Sequence, residues 1–175
     1  DPEGPAPPDV AATLALHRPH LEHRAAVVGA DREELTAGLE ALATGRPHAG
    51  LVTGRAAGRA KVAFVFPGQG GQWEGMAAAL LDTSPVFAER IAACEEILAP
   101  HLDFSLREVL RGGERAVSLE RPEVVQPALF AVAVSLAALW RSYGVKPAAV
   151  VGHSQGEIAA ACVAATRKLP TASAI

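Results

Sequence analysis

A serine between two glycines, at the junction of a predicted strand and a predicted helix, constrains this chain more than any other feature. Gly152, Ser154 and Gly156 form the motif, after apolar residues 148–151 and before alanine-rich residues 158–165. A serine on so sharp a turn projects its hydroxyl outward, and the following helix directs its free N–H groups and positive dipole end to the same point. The pattern predicts a nucleophile, Ser154. The alternative is an ordinary glycine-rich turn, because the motif alone fixes only three positions.

A second predicted strand also stops at a glycine-rich turn. Residues 61–66 are a β-type run, and the segment 67–73 that follows contains three glycines before the next predicted helix. Turns at the carboxyl ends of parallel strands meet at one edge of a sheet, where such folds collect their ligands. The sequence therefore predicts an α/β fold with a parallel sheet that brings the two turns together.

Three segments together resemble a known family. They read Phe-Pro-Gly-Gln-Gly at 66–70, Val-Gln-Pro-Ala-Leu at 125–129 and Gly-His-Ser-Gln-Gly-Glu at 152–157. The set looks like the acyltransferase domain of modular type I polyketide synthases, which implies a hydrolase-like parallel sheet with flanking helices. It also implies that Ser154 takes methylmalonyl or malonyl from coenzyme A as an acyl-serine. The acyl group then passes to the phosphopantetheine thiol of an acyl carrier protein, with no bound cofactor.

Several residues near the two turns are candidates for the site. The backbone N–H of Gln155 is the natural oxyanion donor at the elbow, and the resemblance adds the N–H of Gln69, which is otherwise a simple turn residue. His153 is expected to support the elbow or contact substrate, because adjacent side chains on a strand-turn point apart. The residues expected to line the substrate site also include Gly68, Gly70 and Gln126.

The general base is not among these residues. In the family it is a histidine well downstream of the serine, and an arginine, also downstream, pairs with the malonyl carboxylate. Ile175 precedes both positions, Arg167 lies in a stretch that does not match, and no histidine here occupies the base position. The chain alone is expected to show little or no turnover. The alternatives are a non-catalytic docking or linker piece, and a stand-alone serine hydrolase, which fits poorly without a downstream Asp and His.

The resemblance also bears on the choice of extender. Gln155, together with the segment 121–126, looks like the subgroup that selects methylmalonyl-CoA. The malonyl-selecting subgroup usually carries a branched apolar residue where Gln155 stands. Methylmalonyl is therefore the expected extender.

Four regions are expected along the chain. Residues 1–9 are a proline-rich linker, and residues 10–60 contain a strand, a helix that Asp31 caps and a second strand. This second region resembles the linker that packs the adjacent ketosynthase domain against the acyltransferase. Residues 61–165 are the amino-terminal part of the acyltransferase domain. Residues 166–175 depart from the family, which suggests a truncation or a frameshift.

Within the acyltransferase region two helices stand out. Ser84 and Pro85 predict the start of a helix whose buried stripe holds Phe87, Ile91, Cys94 and Leu98. A second helix, predicted for residues 128–143, is apolar on nearly every side. It should be central and buried, and it is too short to span a bilayer.

Composition excludes several classes of protein. A net charge of −3 gives no electrostatic footprint for nucleic acid or an anionic membrane. Cys94 and Cys162 both lie in apolar helical patterns, so they are expected to be buried thiols in a reducing compartment. No signal peptide opens the chain, and the expected location is cytoplasmic.

His17, His20 and His23 invite a metal interpretation, but Pro19 breaks the helix that would align them, and no metal is expected.

Overall fold

The computed structural model describes residues 4–56, 58, 61–114 and 116–165. Two compact units divide the chain, residues 1–60 and residues 61–175, and each is described by itself. The expected departure from the family after residue 165 lies outside the described residues.

The first unit is built from two helices and one antiparallel pair of strands. Its elements are α1 (Pro7–His17), β1 (His23–Val27), α2 (Arg32–Thr44) and β2 (Leu51–Arg55), and β1 pairs with β2 antiparallel. The Asp31 side chain accepts a hydrogen bond from the N–H of Glu34, which confirms the predicted cap. Helix α1 begins at Pro7, within the predicted proline-rich linker 1–9, because proline is accepted in the first turn of a helix.

The second unit places helices around a short parallel sheet. Its elements are β3 (Ala63–Phe66), α3 (Ala78–Thr83), α4 (Pro85–Leu98), a 3₁₀ turn (Ala99–His101), α5 (Leu106–Arg111), α6 (Pro122–Ser142), β4 (Ala149–Gly152) and α7 (Gly156–Ala165). Strands β3 and β4 pair in parallel from Ala63 opposite Ala149 to Phe66 opposite Gly152. The α/β class and the parallel sheet are thus confirmed.

The core of this unit forms where α4 packs against α6. The Ser84 hydroxyl accepts a hydrogen bond from the N–H of Phe87, and the predicted stripe of α4 is buried throughout: Phe87, Ile91, Cys94 and Leu98. Arg141, near the end of α6, donates to the carbonyl oxygen of Val163 at 3.0 Å. A cation on the last carbonyls of a helix is favourable, so this bond fixes α7 to α6.

Helix α6 differs from its prediction in three ways. It begins at Pro122, not at residue 128. Pro127 lies inside the helix and has no N–H, so one hydrogen bond is lost, the one to the Glu123 carbonyl oxygen. This loss is tolerated because Glu123 is exposed, and water can bond to its carbonyl. Trp140 is 54% exposed, so the helix is not buried on every side. Its 21 residues reach the length of a bilayer span, and 44% of its most apolar window is buried.

Candidate active site

The pairing of β3 with β4 brings the two predicted turns to one edge of the sheet. Phe66 and Gly152, the last residues of these strands, lie opposite each other. One residue further on, the N–H of His153 donates to the carbonyl oxygen of Phe66 at 3.0 Å. The segment that begins at Pro67 and the turn that contains Ser154 therefore leave the sheet side by side, as predicted.

The backbone of Ser154 is strained. Its φ is 55°, and among the described residues it is the one non-glycine residue in the left-handed region. Such a conformation costs about 1–2 kcal/mol for an L-residue and persists only where the surrounding structure holds it. Here the hydrogen bonds from Gly156 N–H to His153 O and from Glu157 N–H to Ser154 O, both 2.9 Å, close the turn. The exposed serine consequently stands at the tip of a sharp elbow between β4 and α7.

Both glycines of the motif are required by close backbone packing. A Cβ atom on Gly152 would lie 2.5 Å from the Glu157 nitrogen and overlap the Glu157 Cα. A Cβ on Gly156 would collide with the Phe66 carbonyl oxygen and lie 2.6 Å from that of Pro67. These glycines thus make room for the tight turn, and Gly156 also lets α7 approach the end of β3.

Gly68 brings the second turn against the serine. A Cβ atom on Gly68 would lie 3.3 Å from the Ser154 Cβ and 3.2 Å from Nδ1 of the exposed His153. These are tight contacts, so a side chain at Gly68 would press on the elbow. The structure therefore brings together Gly68, His153 and Ser154, three of the residues selected from the sequence.

Two backbone N–H groups near the serine have no partner in the described part of the chain. Gln155 immediately precedes α7, and its N–H makes no hydrogen bond there, whereas the N–H groups of the next three residues bond within the turn. The N–H of exposed Gln69, which follows Gly68, is likewise without a partner among the described residues. Open N–H donors beside the positive end of a helix dipole are suited to stabilise an oxyanion.

Gln72 was not selected from the sequence, yet it contacts this turn. Its side-chain Oε1 accepts a hydrogen bond from the N–H of Gly70 at 2.8 Å. Gly70 has φ 127°, a conformation that only glycine adopts readily. This bond was not predicted because a contact between two loop residues, two positions apart, produces no periodic pattern. The one cue in the sequence is the presence of a glutamine within a glycine-rich turn.

The remaining candidates lie elsewhere. Gln126 is exposed in the second turn of α6. The Ser154 hydroxyl makes no hydrogen bond within the described part of the chain, so no described side chain is positioned as its base. Within the same residues no three His, Cys, Asp or Glu side chains gather as a metal site requires, and the His20 ring bonds to the Ala15 carbonyl.

The two cysteines are poorly suited to act as nucleophiles near neutral pH. Burial in the α4 stripe raises the pKa of the Cys94 thiol to about 12. Burial also raises the pKa of Cys162, which is half-buried on α7. Both side chains are free thiols and stay protonated near neutral pH. Ser154 is thus the candidate nucleophile of the elbow.

A cavity of about 680 Å³ opens beside this site, between strand β3, helix α6 and the turn after β3. Its walls are mainly apolar, from Phe64 and Val65 on the strand to Leu129 and Trp140 on the helix. It reaches Gly68 but no residue of the Ser154 turn. The cavity therefore borders the candidate site without containing the serine.

Comparison with known proteins gives a consistent result. The family model described as the acyl transferase domain matches residues 63–172. The polyketide synthase GfsE of Streptomyces halstedii is 62% identical over 160 residues, which is 91% of this chain and 4% of that protein. Erythronolide synthase EryA3 of Saccharopolyspora erythraea is 57% identical over 166 residues, or 94% of this chain and 5% of that protein.

Solved structures agree with this match. The acyltransferase domain from module 8 of the salinomycin polyketide synthase shares 54% identity and a TM-score of 0.81, over 93% of this chain and 39% of that chain. The acyltransferase domain of SpnD, in complex with 2-(pent-4-yn-1-yl)malonyl, shares 34% identity and a TM-score of 0.74, over 92% and 37%. The chain thus spans about two fifths of these solved domains and a few per cent of the synthases.

The residues that the family model matches contain all three motifs identified in the sequence. Two of them, the Gly68 turn and the Ser154 elbow, form one site at the carboxyl end of the parallel sheet. The family match covers both of these motifs and the Gln126 segment between them. The chain therefore belongs to the acyl transferase domain family, in the form found in modular type I polyketide synthases.

Proposed function

We propose that Ser154 takes an extender acyl group from a coenzyme A thioester and passes it to an acyl carrier protein. In the first step the Ser154 Oγ bonds to the thioester carbonyl carbon, the C–S bond breaks, and the hydroxyl proton leaves with coenzyme A as its free thiol. In the second step the carrier's phosphopantetheine thiol attacks the acyl-serine, the ester bond breaks, and the proton returns to Ser154. The atoms balance without an oxidant or reductant, and no bound cofactor takes part.

One observation carries this proposal. Ser154 is held with φ 55° at a strand-to-helix elbow, against the Gly68 turn, in a chain that belongs to the acyl transferase family. We assign the oxyanion hole to the N–H groups of Gln69 and Gln155, since neither has a partner in the described part of the chain. Gln155 follows the serine directly, and Gln69 follows Gly68, which packs against the serine. Stabilisation of the developing negative charge by such donors is commonly the largest single contribution to acyl transfer.

No proton acceptor for the Ser154 hydroxyl is found among the described residues. No described residue bonds to the Ser154 hydroxyl, and in the family this role falls to a histidine downstream of the elbow helix. Without an activated hydroxyl we expect the chain itself to acylate slowly and to turn over little. A stoichiometric acyl-serine is accordingly the product to look for.

We propose methylmalonyl-CoA as the preferred extender, with malonyl-CoA as the second substrate. Gln155 adjoins the nucleophile, and the segment that ends at Gln126 belongs to the same subgroup pattern. A solved relative, the SpnD domain, holds a malonyl group with a substituent at its second carbon, so this fold accommodates a branched extender. We propose that Gly68, Gly70 and His153 line the space for the acyl group; of the two glycines, Gly68 is the one that packs against His153 and Ser154.

The partners follow from the same assignment. We propose an acyl carrier protein as acceptor, and we propose that residues 10–60 act as the linker to an adjacent ketosynthase domain. We propose that the reaction takes place in the cytoplasm, and the free thiols of Cys94 and Cys162 support this, because free thiols persist in a reducing compartment. Neither nucleic acid nor a membrane is a partner, in keeping with the net charge of −3 and the packing of α6 against α4.

A competition experiment tests the choice of extender. The chain is incubated with equal amounts of methylmalonyl-CoA and malonyl-CoA, and the two acylated forms are separated by intact mass. We expect methylmalonyl to exceed malonyl, and the variant Gln155→Val to shift the ratio towards malonyl while it keeps the backbone donor. Equal loading of both acyl groups, or no change in Gln155→Val, would contradict the assignment.

A further inference from the structure

We infer that Gln72 is a positioning residue that fixes the direction of the Gln69 N–H. This inference rests on the proposed function, because it concerns the oxyanion hole assigned to that N–H. The described hydrogen bond of the Gln72 side chain goes to the turn after β3 and not to the Ser154 elbow. It acts through the backbone of Gly70.

The geometry of the turn supports this role. On one side of Gln69, Gly68 is confined by the Ser154 turn, with the His153 ring and the Ser154 Cβ within 3.3 Å of an added Cβ. On the other side, the N–H of Gly70 is held at 2.8 Å by the Gln72 side chain. The peptide groups before and after Gln69 are therefore both restrained. The orientation of the Gln69 N–H is therefore restricted, and we infer that it is held towards the serine.

Glycine at position 70 makes such a restraint necessary. Its φ of 127° lies in a region that glycine shares with many alternative conformations of similar energy. A turn with Gly68, Gly70 and Gly71 on both sides of Gln69 has a large conformational entropy to lose on ordering. The bond from Gln72 selects one conformation of this turn in the free protein, which is the preorganisation that an oxyanion hole requires.

The surroundings of Gln72 are distinct from those of Ser154. The half-buried Gln72 lines a cavity of about 530 Å³ together with Trp73, Val109 and Leu119, and no residue of the elbow lines that cavity. Its neighbour Glu74 makes a comparable bond in another direction, accepting from the N–H of Gly113 at 2.9 Å. Glu74 therefore offers a matched control, a side-chain acceptor on a glycine N–H outside the site.

The test compares four forms of the chain: wild type, Gln72→Met, Gln72→Glu and Glu74→Met. Methionine has a similar length but lacks a strong acceptor, whereas glutamate retains one. The rate at which a fluorophosphonate labels Ser154 is measured by intact mass, because its phosphoryl oxygen needs the same donors as an acyl group. Amide exchange of the Gly70 N–H is followed by NMR, and the melting temperature of each form is recorded.

We expect Ser154 in Gln72→Met to be labelled about tenfold more slowly than in wild type, because about tenfold in rate corresponds to the free energy of one lost hydrogen bond. We also expect the Gly70 amide of this variant to exchange faster. Gln72→Glu should restore labelling to within about threefold of wild type. Glu74→Met should lower the melting temperature at least as much as Gln72→Met does, while its labelling rate matches wild type. A purely structural role of Gln72 would instead make labelling follow the melting temperature in all four forms.

Other outcomes would overturn the inference. These are equal labelling of wild type and Gln72→Met, equal slowing in Gln72→Met and Gln72→Glu, unchanged Gly70 exchange in Gln72→Met, or no labelling of the folded wild type. The proposed function fails separately. If the four labelling rates follow the expected order and yet neither wild type nor Gln72→Glu takes an acyl group from either coenzyme A thioester, the acyl transfer is refuted and the role of Gln72 stands.

Discussion

Gly156 lies directly against Pro67: a Cβ atom on Gly156 would be 2.6 Å from the Pro67 carbonyl oxygen. Gly156, two residues after the nucleophile, therefore packs the start of α7 against the end of β3. Because Pro67 opens the turn that carries Gly68 and Gln69, this contact also sets the distance between the two halves of the proposed site. Stability and function are coupled at this point of the fold.

The variant Gly156→Ala should be strongly destabilised. The atoms that the new methyl group meets are backbone atoms of β3 and the turn after it, which cannot yield without moving the strand. We expect the free energy of unfolding to fall by about 3 kcal/mol, at the upper end for overpacking. Urea denaturation measures this. The control is Gly71→Ala, where nothing lies within 4 Å of the added Cβ and a change within about 0.5 kcal/mol is expected. Equal losses in the two variants would contradict the packing role.

Replacement of Ser154 should separate stability from reactivity. Glycine adopts φ 55° freely, whereas alanine keeps the strain of the left-handed conformation. We therefore expect Ser154→Gly to be more stable than Ser154→Ala by about 1 kcal/mol, although neither can be acylated. Thermal denaturation of the two variants side by side checks this order. If Ser154→Ala is as stable as Ser154→Gly, the elbow is not strained in solution.

The Cys94 thiol should make stability fall at alkaline pH. Burial raises its pKa from the ordinary 9.0 to about 12, so the unfolded chain releases this proton at a lower pH than the folded chain. The contribution is present in full below pH 9.0 and is lost as the pH rises towards 12. Urea titrations at pH 8 and pH 10 should show a loss in wild type that Cys94→Ala reduces. The half-buried Cys162 provides the comparison: Cys162→Ala should reduce the loss less.

Much of the site was predictable because the relevant signals are local. A strand, a glycine-flanked serine and a helix occupy consecutive positions, so the elbow and its exposed nucleophile follow from the sequence around Ser154. The neighbouring Gly68 turn followed from a second strand and the rule that parallel strands end at one edge. Ser84 and Pro85 likewise identified the start of α4 to the residue.

What the sequence did not predict depends on contacts beyond the local pattern. Pro127 normally marks a helix boundary, but α6 continues through it, because Pro122 starts the helix earlier and the orphaned Glu123 carbonyl is exposed. The exposure of Trp140 depends on what packs against α6, which hydrophobicity alone does not report. The Gln72 bond depends on the conformation of Gly70, and a glycine-rich turn has no pattern from which to read it.

The most direct test of the account is the intact mass of the folded chain after incubation with methylmalonyl-CoA. We predict one added methylmalonyl group per chain, located on Ser154 by peptide mapping, with release of one free coenzyme A thiol. Ser154→Ala, verified as folded by circular dichroism, should gain no mass under the same conditions. No added mass on folded wild type, or equal addition to Ser154→Ala, would contradict the assignment of Ser154 as the acyl acceptor and favour a non-catalytic role for the chain.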